Sequence, residues 1–142
     1  EEDGLRQLAR RYGVEERVIF SGCVSPAELP LYYNAGDVFI MPSRGIEEEG
    51  DFEGFGIVFL EANACGKPVI GGRSGGVEDA IVEGKTGLLV DPLSREDVAG
   101  ALISLLTDER LAQELGRKGR ERVEKELNWR TISRRILKEL EP

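Results

Sequence analysis

Short apolar runs alternate along this chain with stretches in which apolar positions recur every three or four residues. Apolar runs bounded by glycine or proline are typical of strands that are buried on both faces of a parallel sheet. Four such runs occur, at residues 18–20, 38–41, 69–70 and 88–90. Because helical patterns separate them, we predict an α/β fold: a Rossmann-like, doubly wound, mainly parallel sheet with helices on both faces.

Helix start and stop signals divide the chain further. Ser25, Pro26 and Glu28 together are typical of a helix start, with an N-cap hydroxyl, a proline at the first helical position and a glutamate that reaches back. A mostly apolar helix is predicted to begin near Phe55 and to end at Gly66. Three final helices are predicted over residues 94–141, with starts at Ser94, Asp108 and Asn128.

Length and composition fit one domain with a core of its own. Of the 142 residues, 40% are hydrophobic, which is too many for a disordered tail. Glu1 already lies inside a helical pattern. We therefore expect residues 1–142 to be a single, N-terminally incomplete domain, excerpted or processed from something longer.

Charge and missing residue types exclude several functions. The chain has 19 basic and 27 acidic residues, and this net charge of −8 disfavours nucleic-acid binding. Without histidine, the chain alone builds neither a Ser-His-Asp nor a Cys-His hydrolase, and a zinc site is disfavoured. No apolar run is long enough to cross a bilayer, and no secretory leader is visible. Cys23 and Cys65 are interpreted as small buried thiols of a cytoplasmic protein.

The strongest candidate for chemistry is a pair of glutamates, Glu53 and Glu61, with seven residues between them. If a helix begins near Phe55, its backbone amides and dipole form an anion site suited to phosphate, and the carboxylates on either side suit sugar hydroxyls. The alternative is that Glu53 is solvated and Glu61 is an exposed helix residue. Because Glu61 lies among apolar residues, however, we expect it to be largely buried and to need a partner.

Two further segments are weaker candidates. Residues 71–78 form a glycine-rich connection whose amides would suit a phosphate or a sugar, unless it is only a flexible turn. It has neither the Walker spacing nor the spacing of a dinucleotide fingerprint. Residues 47–53 carry five carboxylates, which suit a hard cation, but a solvated loop is the favoured interpretation. We assign no metal site.

Several motifs follow one another in a specific order. They are Phe20-Ser21-Gly22, Asp37-Val38 before Pro42-Ser43, the segment from Glu53 to Glu61, residues 64–70, Gly75-Gly76, residues 84–90 and Trp129. This series resembles the C-terminal domain of retaining glycosyltransferases of the GT-B fold, in the large family 4 or group 1 type. The spaced glutamates are the signature of that group, and the acidic loop looks closest to bacterial mannosyltransferases with lipid or glycan acceptors.

The resemblance implies how the strands are arranged. The four predicted strands would be the third to sixth of a sheet with the order 3-2-1-4-5-6, so that the first two strands are missing. Residues 18–20 would then lack neighbours, whereas the strands at residues 38–41, 69–70 and 88–90 would lie side by side.

The resemblance also implies that this domain binds a nucleotide-diphosphate sugar, the donor, for transfer with retention of configuration. The residues expected at the donor sugar are Glu53, which would also be the catalytic residue, Gly54, Phe55 and Gly56. Those expected at the nucleotide are Gly22, Cys23 and Val24 near the base, Ile57 and Val58 at the diphosphate, and Glu61 at the ribose. No metal or other cofactor is implied.

The expected partners include parts that this chain lacks. An acceptor-binding N-terminal domain, and an arginine and a lysine that clamp the diphosphate, would precede Glu1; Lys67 and Arg73 are the nearest candidates for compensation. We expect hexosyltransferase activity in the full-length protein but none in this chain alone. Its expected location is the cytoplasm, with peripheral association at the inner face of the cell membrane as an option for the full-length protein. The alternatives are a non-catalytic module that binds a nucleotide sugar or a partner, and a glucan-synthase-type glucosyltransferase.

Overall fold

A computed structural model describes residues 2–45 and 54–140. The helices are α1 (Glu2–Arg11), α2 (Leu29–Ala35), α3 (Ile57–Ala64), α4 (Val77–Ala80), α5 (Arg95–Thr107), α6 (Glu109–Glu126) and α7 (Trp129–Leu140), with a short 3-10 turn at Glu15–Arg17. The strands are β1 (Phe39–Met41), β2 (Val69–Gly72) and β3 (Gly87–Val90). Helices thus separate consecutive strands, as the sequence pattern predicts.

The three strands form one parallel sheet in the order β1-β2-β3. Ile40 is opposite Ile70 in the register of the first pair, and Ile70 is opposite Leu88 in the second. The predicted side-by-side placement of these three strands is confirmed.

Side chains alternate along the strands between two cores on opposite faces of the sheet. On one face, Phe39, Val69 and Leu89 pack with side chains of α3 and α4, including the fully buried Phe59. On the other face, strand residues that include Ile70 pack with Leu105 of α5 and Leu115 of α6, as a second cluster of buried residues. Helices on both faces confirm the predicted α/β class.

Close packing of α6 against the end of α3 depends on two glycines. A Cβ atom at Gly116 would collide with the carbonyl oxygen of Gly66, and one at Gly119 would collide with the side chain of Asn63. Asn63 is buried, and its Nδ2 donates to the carbonyl oxygens of Lys67, at 3.0 Å, and of Thr86, at 3.2 Å. The glycines therefore let α6 fix the position of α3.

The prediction of a strand at residues 18–20 is wrong. The segment pairs with none of the described strands, which is the lack of neighbours that the resemblance implies, and Ile19 is 90% exposed. A strand requires a neighbour to accept and donate its backbone hydrogen bonds, and none of the described strands lies beside this segment. It instead lies near α1, where the Arg6 guanidinium is 4.4 Å from the centre of the Phe20 ring.

The predicted starts of the last three helices are confirmed by hydrogen bonds. The side chains of Ser94, Asp108 and Asn128 accept from the backbone amides of the residue three positions on, at 2.9–3.1 Å. The predicted start at Ser25 is wrong, because α2 begins only at Leu29, after a turn. Ser25 Oγ donates to Glu28 Oε2 at 2.6 Å in that turn. In the part of the chain that is described, no helix has the length and apolar character needed to cross a bilayer.

Candidate functional site

The first turn of α3 lies at the edge of the sheet where the parallel strands end. The helix begins at Ile57, two residues later than the sequence pattern predicts, because Gly56 adopts a left-handed conformation with φ of 78° immediately before it. Gly56 is buried, and this backbone conformation is one that glycine adopts without strain. The first amides of a helix, here those of Ile57 and Val58, have no intrahelical acceptor and carry the positive end of the helix dipole.

Three loops come together beside this helix start. A Cβ atom at Gly72 would collide with the carbonyl oxygen of Ser43, and one at Gly76 would collide with that of Gly54. The backbone amide of Gly45 also donates to Ser74 Oγ at 2.7 Å. The glycines of the predicted glycine-rich connection thus have a packing role: they hold the segments after β1 and before α3 against the loop after β2.

Glu61 has the partner that a half-buried carboxylate requires. Its Oε2 atom accepts a hydrogen bond from Tyr33 Oη of α2 at 2.8 Å. Burial, and secondarily the hydrogen bond and charge of Glu61, raise the pKa of Tyr33 well above its usual range. Tyr33 is therefore a protonated donor at neutral pH. Sequence reasoning anticipated a partner for Glu61 without identifying this one.

The other carboxylate oxygen of Glu61, Oε1, has no hydrogen-bond donor among residues 2–45 and 54–140. Glu61 is half-buried and lines the groove described below, so part of its side chain is accessible. Glu61 thus has one oxygen held by the protein and one that can accept a hydrogen bond from a ligand.

An apolar groove of about 410 Å³ runs past Glu61, between α3 and the junction of α6 and α7. Ile57 and Trp129 are on its wall and are 58% and 79% exposed. Ile132 also lines the groove, while Ile136 and Leu140 of α7 are exposed. This apolar surface adjoins Glu61.

A profile of the family described as "Glycosyl transferases group 1" matches residues 1–122. The chain belongs to the group 1 glycosyltransferases. This membership confirms the resemblance found in the sequence.

The chain is similar to mycobacterial glycosyltransferases. It is 45% identical over 132 residues to the GDP-mannose-dependent alpha-(1-6)-phosphatidylinositol monomannoside mannosyltransferase of Mycobacterium tuberculosis. The alignment covers 93% of this chain but 34% of the relative. The chain thus spans about a third of the length of the relative it matches.

Solved glycosyltransferase structures share the fold. The sucrose-phosphate synthase of Thermosynechococcus elongatus is 36% identical, with a TM-score of 0.84 over 94% of this chain and 32% of that one. The HepE protein of Anabaena, solved in complex with UDP and glucose, is 26% identical, with a TM-score of 0.86 over 97% of this chain and 35% of that one. These likenesses confirm the predicted GT-B fold.

Not all residues expected at the glycosyltransferase site are brought together. Glu53, expected at the donor sugar, and the acidic run at 47–53 lie outside the described residues. Gly54, Phe55 and Gly56 directly precede Ile57, Val58 and Glu61 on α3, so this group is contiguous. No group of three acidic or cysteine side chains within residues 2–45 and 54–140 is arranged to hold a metal ion.

The segment expected at the base, residues 22–24, makes no hydrogen bond to the described part of the expected site on α3. Gly22 has a left-handed φ of 64°. Val24 is half-buried. Cys23 is exposed and Cys65 is half-buried, so the interpretation of both as buried thiols is wrong. Cys23 is exposed because the unpaired segment before it is not covered by the sheet.

Lys67 and Arg73, the candidates for compensating the missing clamp, are occupied by protein contacts. Lys67 Nζ donates to the carbonyl oxygen of Asn34 at 3.0 Å. Arg73 donates to the carbonyl oxygen of Leu89 at 3.4 Å and lies 3.7 Å from the carboxylate of Glu83. Both side chains therefore link elements of the fold.

Proposed function

We propose that this chain forms the donor-binding half of a retaining glycosyltransferase that transfers mannose from GDP-mannose to a lipid or glycan acceptor. Family membership supports glycosyl transfer. The mannosyltransferase of Mycobacterium tuberculosis, 45% identical to this chain, supports mannose, the guanine nucleotide and a lipid acceptor. Such an acceptor would bring the whole protein to the inner face of the cell membrane.

The observation that carries the proposal is the arrangement of Glu61 relative to the start of α3. Glu61 lies four residues after Ile57, about one helical turn, and no described residue donates to its Oε1. The spacing suits a nucleoside diphosphate, because the anionic diphosphate would face the amides of Ile57 and Val58 while a ribose hydroxyl donates to Oε1.

Glu53 completes the proposed site from the sugar side. By family resemblance it accepts hydrogen bonds from hydroxyls of the mannose, with the backbone of Gly54, Phe55 and Gly56 supporting the same contact. Gly22, Cys23 and Val24 would lie against the base. This division assigns the nucleotide to Glu61 and the transferred sugar to Glu53.

Binding a diphosphate at this site requires positive charge. A chain with a net charge of −8 repels a diphosphate, and the start of one helix offers only about half a positive charge. We propose that the remaining positive charge comes from the arginine and lysine clamp expected in the whole protein, without a metal ion.

A binding and transfer experiment tests the proposal in the complete natural polypeptide that contains this chain, called the complete polypeptide below. Isothermal titration calorimetry would compare GDP-mannose, GDP, UDP-glucose and UDP, and a transfer assay would follow radiolabelled mannose. We expect GDP-mannose to bind in preference to UDP-glucose and its mannose to be transferred. Preference for UDP-glucose would favour the glucan-synthase-type alternative, and binding without transfer would favour the non-catalytic module.

A further inference from the structure

Tyr33 contacts Glu61 from a different element of the fold. Tyr33 is on α2, 28 residues before Glu61, and its hydroxyl donates to Oε2 at 2.8 Å. The hydroxyl is the only side-chain donor to Glu61 in residues 2–45 and 54–140. The orientation of this carboxylate therefore depends on a contact between α2 and α3.

Aromatic packing fixes the position of the Tyr33 ring. The ring meets Phe39 of β1 edge-on, with centres 5.4 Å apart, and Phe39 meets Phe59 of α3 edge-on at 5.7 Å. Phe59 is fully buried in the first core. Because this series of rings joins α2, the sheet and α3, the hydroxyl of Tyr33 is held in place by the core.

We propose that Tyr33 is a positioning residue for nucleotide recognition: it holds Oε2 of Glu61 so that Oε1 is directed at the ribose hydroxyls. This inference rests on the proposed function. A neutral donor leaves the negative charge on Glu61, so the carboxylate remains a strong acceptor for hydroxyl groups. Without the tyrosine hydroxyl, the end of the glutamate side chain rotates freely, and the ligand must order it on binding.

The test uses Tyr33→Phe in the complete polypeptide, with Tyr32→Phe as the matched control. Tyr32 is the neighbouring residue on α2, is 50% exposed, and its hydroxyl makes no hydrogen bond to another described residue. Calorimetry would measure the affinities for GDP and for 2′,3′-dideoxy-GDP, which lacks both ribose hydroxyls. We expect Tyr33→Phe to lower the preference for GDP over the dideoxy compound roughly three- to tenfold, and Tyr32→Phe to leave it unchanged.

A double-mutant comparison separates an effect through Glu61 from a general loss of structure. In a Glu61→Ala background, Tyr33→Phe should cause no further loss of the preference for GDP. The ratio of two affinities in one sample does not depend on the fraction of folded protein. If the phenylalanine variant is insoluble, the same affinity ratio can be measured with Tyr33→Leu, which also lacks the hydroxyl.

The outcomes distinguish this inference from the proposed function. If Glu61→Ala removes the preference for GDP and Tyr33→Phe keeps the wild-type value, the positioning role is overturned and the proposed function stands. An additional loss from Tyr33→Phe in the Glu61→Ala background would also overturn it. If the wild type binds both compounds equally, the ribose contact of Glu61 is wrong and this inference fails, while nucleotide binding stands. If the wild type binds neither compound, the proposed function fails as well.

Discussion

Glu61 is a half-buried carboxylate with two different oxygens, and this asymmetry is central to the proposed site. Oε2 is satisfied by Tyr33, so the group is not an unpaired buried charge. No described residue donates to Oε1, and Glu61 lines the apolar groove. A fully paired carboxylate would serve only the fold, whereas this one retains an acceptor for a ligand.

Replacing the two glutamates should separate nucleotide binding from sugar transfer. In the complete polypeptide, Glu61→Ala should lower the affinities for GDP and for GDP-mannose about ten- to a hundredfold. The reason is that a hydrogen bond to a charged group is worth roughly 1.5–3 kcal/mol. Glu53→Ala should leave GDP affinity unchanged while reducing transfer. Calorimetry and a transfer assay measure the two effects, and equal losses of GDP affinity would refute the assignment.

Tyr33 should make the stability depend on pH in the alkaline range. An unfolded tyrosine titrates near pH 10. Because the pKa of Tyr33 is raised in the fold, the native state keeps a proton that the unfolded state loses above that pH. This contribution to the free energy of unfolding is complete below about pH 10 and is lost as the pH rises.

The difference between wild type and Tyr33→Phe isolates that contribution. Urea unfolding of both proteins at several values between about pH 9 and pH 11.5 should show the wild type losing free energy of unfolding relative to the variant. Titrating lysines affect both proteins alike and cancel. If the free energy of unfolding of the wild type, relative to that of the variant, stays constant or rises with pH, the raised pKa of Tyr33 is contradicted.

Sequence reasoning located Glu61 but not its partner. Apolar neighbours of Glu61 indicated that the carboxylate needed a donor, which is a local inference. Tyr33 is 28 residues away, and its pairing with Glu61 depends on how α2 and α3 pack. The tyrosines of α2 are candidate donors, but no spacing rule connects either of them to a particular carboxylate.

The position of α3 depends on elements on both of its sides. Gly56 sets its start, and the glycines of α6 allow that helix to pack closely against its end. Because glycine is unfavourable within a helix, those of α6 make sense only where a neighbour leaves no room for a side chain.

Two helical glycines should respond to alanine in opposite directions. Gly116→Ala should destabilise the fold by about 1–3 kcal/mol, because the new Cβ meets the backbone of Gly66, which cannot rotate away. Gly100→Ala in α5 has no neighbour within 4 Å and should stabilise by about 0.5–1 kcal/mol. Thermal unfolding of the complete polypeptide measures both. A stabilising Gly116→Ala would show that α6 and α3 are not closely packed.

Elements with their own local signals were predictable, and those that depend on neighbours were not. The caps of α5, α6 and α7 are encoded within three residues and are confirmed. Residues 18–20 have the composition of a strand but no adjacent strand; the apolar run alone does not show this, whereas the family resemblance implies it. Likewise, Gly56 delays the start of α3 through backbone geometry that the periodicity does not encode.

At the scale of the whole molecule, the sheet has two cores and an edge at which three loops pack together. The chain spans about a third of the length of its mycobacterial relative. Glycosyl transfer needs the donor and the acceptor to be held together, and it needs positive charge at the departing phosphate. Under the proposed function, the acceptor site and the phosphate clamp would lie outside this chain.

This 142-residue chain alone should therefore transfer no sugar. Purified chain and complete polypeptide would be assayed with radiolabelled GDP-mannose and a lipid extract that contains acceptors. We expect the complete polypeptide to form labelled product and the isolated chain to form none. Transfer by the isolated chain would contradict the division of the site between two domains.

The central claim is that the start of α3 and Glu61 together hold the nucleotide of a sugar donor. A crystal structure of the complete polypeptide with GDP-mannose tests it most directly, through the distance from Glu61 Oε1 to the ribose oxygens. The account predicts a hydrogen bond of roughly 2.5–3.0 Å, with the diphosphate at the amides of Ile57 and Val58. A nucleotide bound elsewhere, or a ribose that makes no contact with Glu61, would contradict it.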